Sequence, residues 1–154
     1  MTNFKSVLIT NGSDKDNNAF KANISLLMPL ANFTVDRKCV ETVKHLINNG
    51  SVIPDILFIN ADTNEQEVLE CVAMLRSVEK FNSLPIILYS KAADIALVKD
   101  AYAMGATFFW VNPHLPLQNN EQLLNLSVNV FNAKDKTPKS HFILGNTRTA
   151  QLVM

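Results

Sequence analysis

The chain predicts an α/β protein: a three-layer α/β/α sandwich on a five-stranded parallel sheet in the order 2-1-3-4-5. Three observations carry this. Short runs such as Ile56 to Ile59 are apolar without a break, as in strands buried on both faces of a parallel sheet. These runs alternate with segments whose apolar residues recur three and four apart, the period of a helix with one buried face. A length of 154 residues suits one domain with a sizeable core.

Val7-Leu8-Ile9 reads as the first strand, followed by turn formers from Thr10 to Asp14. Ser13 or Asp14 can cap a first helix carrying Phe20, Ile24, Leu27, Met28 and Ala31, with Pro29 near its end. Phe33 to Val35 is a short second strand. A second helix carries Val40, Val43, Leu46 and Ile47 and closes at Gly50. Pro54 to Asn60 is the third strand, with the proline at its entry, where no ladder donor is needed. A helix from Glu65 to Glu79 buries Val68, Leu69, Val72 and Leu75. Leu84 to Tyr89 is the fourth strand, Asp94 to Met104 the fourth helix with Gly105 as its cap, and Phe108 to Val111 the fifth strand. Leu123, Leu124, Val128 and Phe131 mark a final helix. Residues 1–132 form the domain. Residues 133–154 form a tail whose apolar Phe142-Ile143-Leu144 is expected to dock on the domain or on a dimer mate.

Composition excludes several classes of function. Hydrophobic residues at 47% and charged residues at 18% fit a folded globular protein. A formal net charge of +0 leaves no electrostatic footprint for nucleic acid or an anionic membrane. The apolar runs are too short to span a bilayer, and no secretory leader is visible, so a cytoplasmic location is expected. Cys39 and Cys71 lack metal or redox spacing and read as two reduced, buried thiols. With 4 glycines, and Gly12 alone in the first strand–helix loop, no phosphate-cradling nucleotide loop is present. No cofactor and no metal site are expected.

In open α/β sheets function gathers beyond the carboxyl ends of the strands, where this order brings together Asn11, Asn60 and Ser90. From Lys5 to Asn132 the chain resembles the receiver domain of two-component response regulators, the CheY-like family. The resemblance rests on Val7 to Asn11, Pro54 to Asn60, Leu84 to Ser90, Ala101 to Ala106, and the Asn112-Pro113 pair, in that order and spacing. It implies a flavodoxin-like sheet and a phosphoacceptor aspartate ending the third strand. An acidic pair after the first strand would help hold magnesium, and a Ser or Thr and a Lys after the fourth and fifth strands would contact the phosphoryl group. That chemistry moves an anion onto a carboxylate, so it needs the cation and the lysine.

This sequence departs from the family at those positions. The acceptor position is Asn60, the acidic pair is Asn11-Gly12, and the lysine position is Asn112. Ser90 keeps its hydroxyl, and Pro113 keeps the backbone turn that the family makes with a cis bond. A family pocket of about −2 in formal charge becomes a neutral one with no stranded ion. The reading is a degenerate, stand-alone receiver that is not an enzyme, has no catalytic residue and works by protein–protein contact in a signalling pathway.

The alternatives use Asp62 as an unconventional acceptor, or Ser90 with Lys91 as an anion site; a flavodoxin-like ligand binder ranks below both. Each has a plainer counterpart: Asp62 and Lys91 as solvated loop residues, Ser90 as a hydroxyl bonded to nearby backbone. No histidine pairs with Ser90, which also lacks a Gly-x-Ser-x-Gly elbow. The resemblance also places a partner or homodimer face on the fourth helix, fifth strand and fifth helix, where Ile95, Tyr102, Phe108 and Phe109 form an apolar surplus. The plainer reading packs these residues under the tail.

Overall fold

The computed structural model describes residues 4–49, 52–92 and 94–111. They form β1 (Ser6–Thr10), α1 (Asp14–Leu27), β2 (Asn32–Asp36), α2 (Cys39–Asn49) and β3 (Ile56–Asn60). There follow α3 (Glu65–Arg76), a 3-10 turn (Glu79–Phe81), β4 (Ile86–Ser90), α4 (Ile95–Met104) and β5 (Phe108–Val111). The sheet is parallel throughout, in the order β2-β1-β3-β4-β5. The expected fifth helix, the Asn112-Pro113 turn, the Gly50 cap and the 133–154 tail lie outside the described residues.

The continuously apolar strands divide by parity. Leu8, Leu57, Ile59, Ile86, Leu88, Phe109 and Val111 face the side packed by α2, α3 and α4. Val7, Ile9, Ile56, Phe58, Ile87, Tyr89, Phe108 and Trp110 face the side where α1 lays Phe20, Ile24 and Met28. Side chains alternate across a pleated strand, so a strand covered on both faces has no polar positions. Each fully buried large side chain contributes about 1.5–3 kcal/mol relative to leaving it in water. At the sheet edge, β2 exposes Asn32, Thr34 and Asp36 and half-buries Phe33 and Val35.

Local signals set the boundaries. Ser13 caps α1 by accepting the Asp16 N–H at 3.1 Å. Asp94 caps α4 by accepting the Ala96 N–H at 3.0 Å, and Gly105 closes it at a φ of 114°. β3 begins at Ile56 rather than Pro54. The intervening Asp55 carboxylate accepts the Lys5 and Ser6 N–H groups at 2.8 and 2.9 Å, so a side chain holds the start of β1. α3 ends at Arg76, short of the expected Glu79, because the chain tightens into the 3-10 turn that drives Phe81 fully into the core.

The apolar surplus on α4 is mostly internal. Leu97, Val98, Ala101 and Tyr102 are buried, and the Tyr102 hydroxyl accepts the Phe109 N–H at 3.3 Å. Phe108 and Phe109 are buried as well, so of the residues expected to form a partner face only Ile95, at 44%, is exposed.

Candidate functional site

Register brings the expected residues together. Thr10 pairs with Ile59 and Asn60 with Tyr89, so Asn11, Asn60 and Ser90 share the carboxyl edge of the three central strands. All three are buried. Asn112 and Pro113, placed with them by sequence, lie outside the described residues.

Asn11 follows β1 at the head of the loop into α1. It sits at a φ of 79°, the left-handed region that asparagine tolerates better than most residues. Its Nδ2 donates to the carbonyl oxygens of Asn60 at 2.9 Å and Thr63 at 3.3 Å. Its Oδ1 accepts the Cys39 N–H at the start of α2, at 3.4 Å. One amide thus ties three loops. A carboxylate here would turn an oxygen toward the Asn60 and Thr63 carbonyls and have nothing to donate.

Gly12 is fixed by its neighbour. A Cβ at this position would stand 2.5 Å from Asn17 Oδ1 and 3.3 Å from Asn60 Nδ2. Asn17 lies wholly buried in the first turns of α1, and its Nδ2 donates to the Gly12 carbonyl at 2.9 Å and the Asp36 carbonyl at 3.1 Å. Its Oδ1 is buried without a hydrogen-bond partner.

Asn60 Oδ1 accepts the Asp62 N–H at 2.8 Å. Asp62 Oδ1 in turn accepts the Lys91 N–H at 2.8 Å, a side-chain bridge between the loops after β3 and β4. The Ser90 hydroxyl donates to the Ala92 carbonyl, so it serves its own loop. The Tyr89 ring stacks on Phe20 with centroids 3.9 Å apart and planes 6° apart. Its hydroxyl faces the Asn60 side chain without completing a hydrogen bond, and burial pushes its ionisation well above the ordinary range.

Between these groups is a cavity of about 10 Å³ lined by Asp16, Asn60, Asp62, Tyr89, Ser90 and Lys91. That is room for about one water molecule. A larger groove of about 670 Å³ lies away from it along β2 and α2, lined by Thr34, Asp36, Thr42 and His45 among others.

Magnesium, which a receiver pocket would hold, does not fit these residues. Asn60 and Asn11 have already committed their side-chain oxygens to backbone N–H groups, and Gly12 offers none. Asp16 and Asp62 are the carboxylates at the cavity, and among the described residues no group of three acidic, His or Cys side chains is placed to hold a metal.

Sequence reasoning missed Asn17 and Tyr89. The signal for Asn17 was present: it lies three residues before Phe20 and seven before Ile24, in the buried stripe of α1, where a polar residue must find internal partners. Tyr89 was read only as part of an apolar run.

No protein-family model matches the chain, and no curated protein sequence does. Solved structures do match. The signal receiver domain of a DNA-binding response regulator from Colwellia psychrerythraea 34H superposes with a TM-score of 0.65 at 16% identity, covering 81% of this chain and 98% of its own. The signal receiver domain of an HD domain-containing protein from Pseudomonas fluorescens Pf-5 gives 0.66 at 14% identity, covering 85% and 99%. A response regulator in red light signalling of R. palustris gives 0.62 at 14% identity, covering 79% and 90%. At these identities the likeness establishes the fold.

Proposed function

Starting from a response-regulator receiver fold whose acceptor strand ends in an amide, we propose that this chain is a receiver-like signalling module that acts by protein–protein contact without phosphorylation. The observation that carries this is the Asn11–Asn60 bond. The position that would bring a cation to the acceptor instead donates an amide hydrogen to the acceptor's own backbone. The rest of the pocket agrees with it. Asn60 has no carboxylate to phosphorylate, Ser90 is turned to Ala92, and the enclosed space of about 10 Å³ has room for about one water rather than a phosphoryl group.

Neither alternative acceptor is favoured. Asp62 uses one oxygen on the Lys91 N–H, and among the described residues no metal-binding cluster stands beside it to support a phosphoryl group. An anion at Ser90 and Lys91 would meet Asp16 and Asp62 across the same small cavity. As a non-enzymatic module the chain would signal by occupancy of its surface.

The test is incubation with acetyl phosphate, or with beryllofluoride, in magnesium. Unchanged mass and unchanged amide spectra at Asn60, Asp62 and Ser90 are expected. A stable phosphoryl adduct or a saturable beryllofluoride shift overturns the reading.

A further inference from the structure

Among the described residues β2 pairs with β1 alone and leaves the other side of its backbone open. The ladder to β1 runs through alternate residues. The Asn32 N–H donates to the Lys5 carbonyl at 2.8 Å, and the Asp36 carbonyl accepts the Asn11 N–H at 3.3 Å. The N–H and C=O groups of Phe33 and Val35 therefore face away from β1. The strand carries no proline, no lysine and no bulge, the usual defences of an open edge. We propose that this edge is an interaction surface whose partner is a second copy of the chain, joined β2 to β2, antiparallel, about a two-fold axis at Thr34.

The strand is complementary to itself. An antiparallel register centred on Thr34 sets Phe33 opposite Val35 of the second copy, and Val35 opposite its Phe33. These are the residues whose backbone groups face outward, so each pair exchanges both its N–H and C=O bonds. Their half-buried side chains would carry the apolar cluster beneath α1 from one copy into the other. On the opposite face Thr34 meets its own copy, and Asn32 stands across from Asp36 at each end. Those are the closer, non-hydrogen-bonded pairs, in which an amide donates to a carboxylate and two hydroxyls bond each other. Asp36 takes the Thr42 hydroxyl on Oδ2, which leaves Oδ1 for the amide. Other registers lose the Asn–Asp pairs.

The edge has room for the second strand. Asn32, Thr34 and Asp36 are exposed, and the last two line the groove of about 670 Å³ between β2 and α2. A formal net charge of +0 lets two copies approach without mutual repulsion. Two five-stranded sheets would then run on as one. The contact is small, so the dimer forms reversibly with concentration. It holds whether or not the pocket takes a phosphoryl group.

Sedimentation of the full chain over a range of concentrations should show a monomer–dimer equilibrium. Thr34→Glu and Thr34→Lys alter an exposed side chain that meets its own copy across the axis. Each should weaken self-association roughly tenfold or more, because like charges then stand directly opposite. Mixing the two variants should restore a dimer containing one of each. Thr34→Cys should give a covalent dimer on mild oxidation that a reductant cleaves. Melting curves show that the variants remain folded. A chain that stays monomeric at every concentration overturns the proposal, whether residues 112–154 cover this edge or a different protein does. So does a dimer indifferent to both charges, which would use another face, or a mixture that fails to recover.

Discussion

Arg76 Nε donates to the carbonyl oxygen of Gly105 at 2.8 Å, joining the end of α3 to the end of α4. The same guanidinium reaches the Phe81 carbonyl at 2.7 Å and Thr107 Oγ1 at 3.2 Å. Burial pulls its pKa down to about 10, which leaves it protonated at neutral pH. It is a cation held by helix-terminal carbonyls, which carry partial negative charge.

Replacing Arg76 by Met removes those donors while keeping the aliphatic stem. A loss of about 2–4 kcal/mol is expected, because the hydrogen bonds lost came from a charged group and leave partly buried acceptors unmet. Arg76→Lys should recover only part of this, since an ammonium cannot span the three acceptors in one plane. Urea denaturation at pH 7 measures both.

Gly105→Ala should cost about 2–3 kcal/mol, from a positive φ and from a Cβ set 2.5 Å from Arg76 Cγ. If the clash contributes, the loss will be smaller in an Arg76→Ala background, and a double-mutant cycle reads the coupling directly.

Restoring acids to the pocket should fail at Gly12 before it fails at Asn60. Asn60→Asp is expected to fold and to stay unlabelled by acetyl phosphate with magnesium, since Asn11 and Gly12 supply no second carboxylate. Gly12→Asp should destabilise by about 1–3 kcal/mol by displacing Asn17. Calorimetry and intact-mass measurement separate the two effects. Efficient labelling of Asn60→Asp alone would show that the amide at Asn11 does not block the site.

Tyr89→Phe removes a buried hydroxyl with no hydrogen-bond partner while keeping the ring stacked on Phe20. A gain of up to about 1 kcal/mol is expected. The same residue gives a pH signature. Burial raises the ionisation of Tyr89 and of Tyr102 above the ordinary value of 10.0. A phenol whose pKa is higher folded than unfolded contributes full stability below the unfolded value and loses it as pH rises toward the folded one. The melting temperature should therefore decline above pH 10, less steeply in Tyr89→Phe.

The sheet and its order could be read in advance because buried parallel strands lack polar positions, and Ile56 to Ile59 states this without a partner in view. The location of Asn60 followed from the same strand. The partners of Asn60 did not. The bond from Asn11 spans forty-nine residues and depends on a left-handed backbone at Asn11. The closure over Gly12 depends on a helix residue, Asn17, whose polarity marked it as internal without saying what it met. The end of α3 was misjudged because Val78 continues its apolar pattern, while burying Phe81 required the chain to turn. That Tyr102 points inward to the Phe109 backbone was likewise not legible in the sequence, because the apolar pattern of α4 runs nearly all round the helix.

The Asn11 amide has a consequence in the test tube. Chelators, divalent salts and modest changes of pH act on bound metals and ionised groups, and this bond contains neither. Preparations made in different buffers should present the same arrangement at the top of the sheet, set once when the chain folds. The geometry of these loops is written in the polypeptide alone.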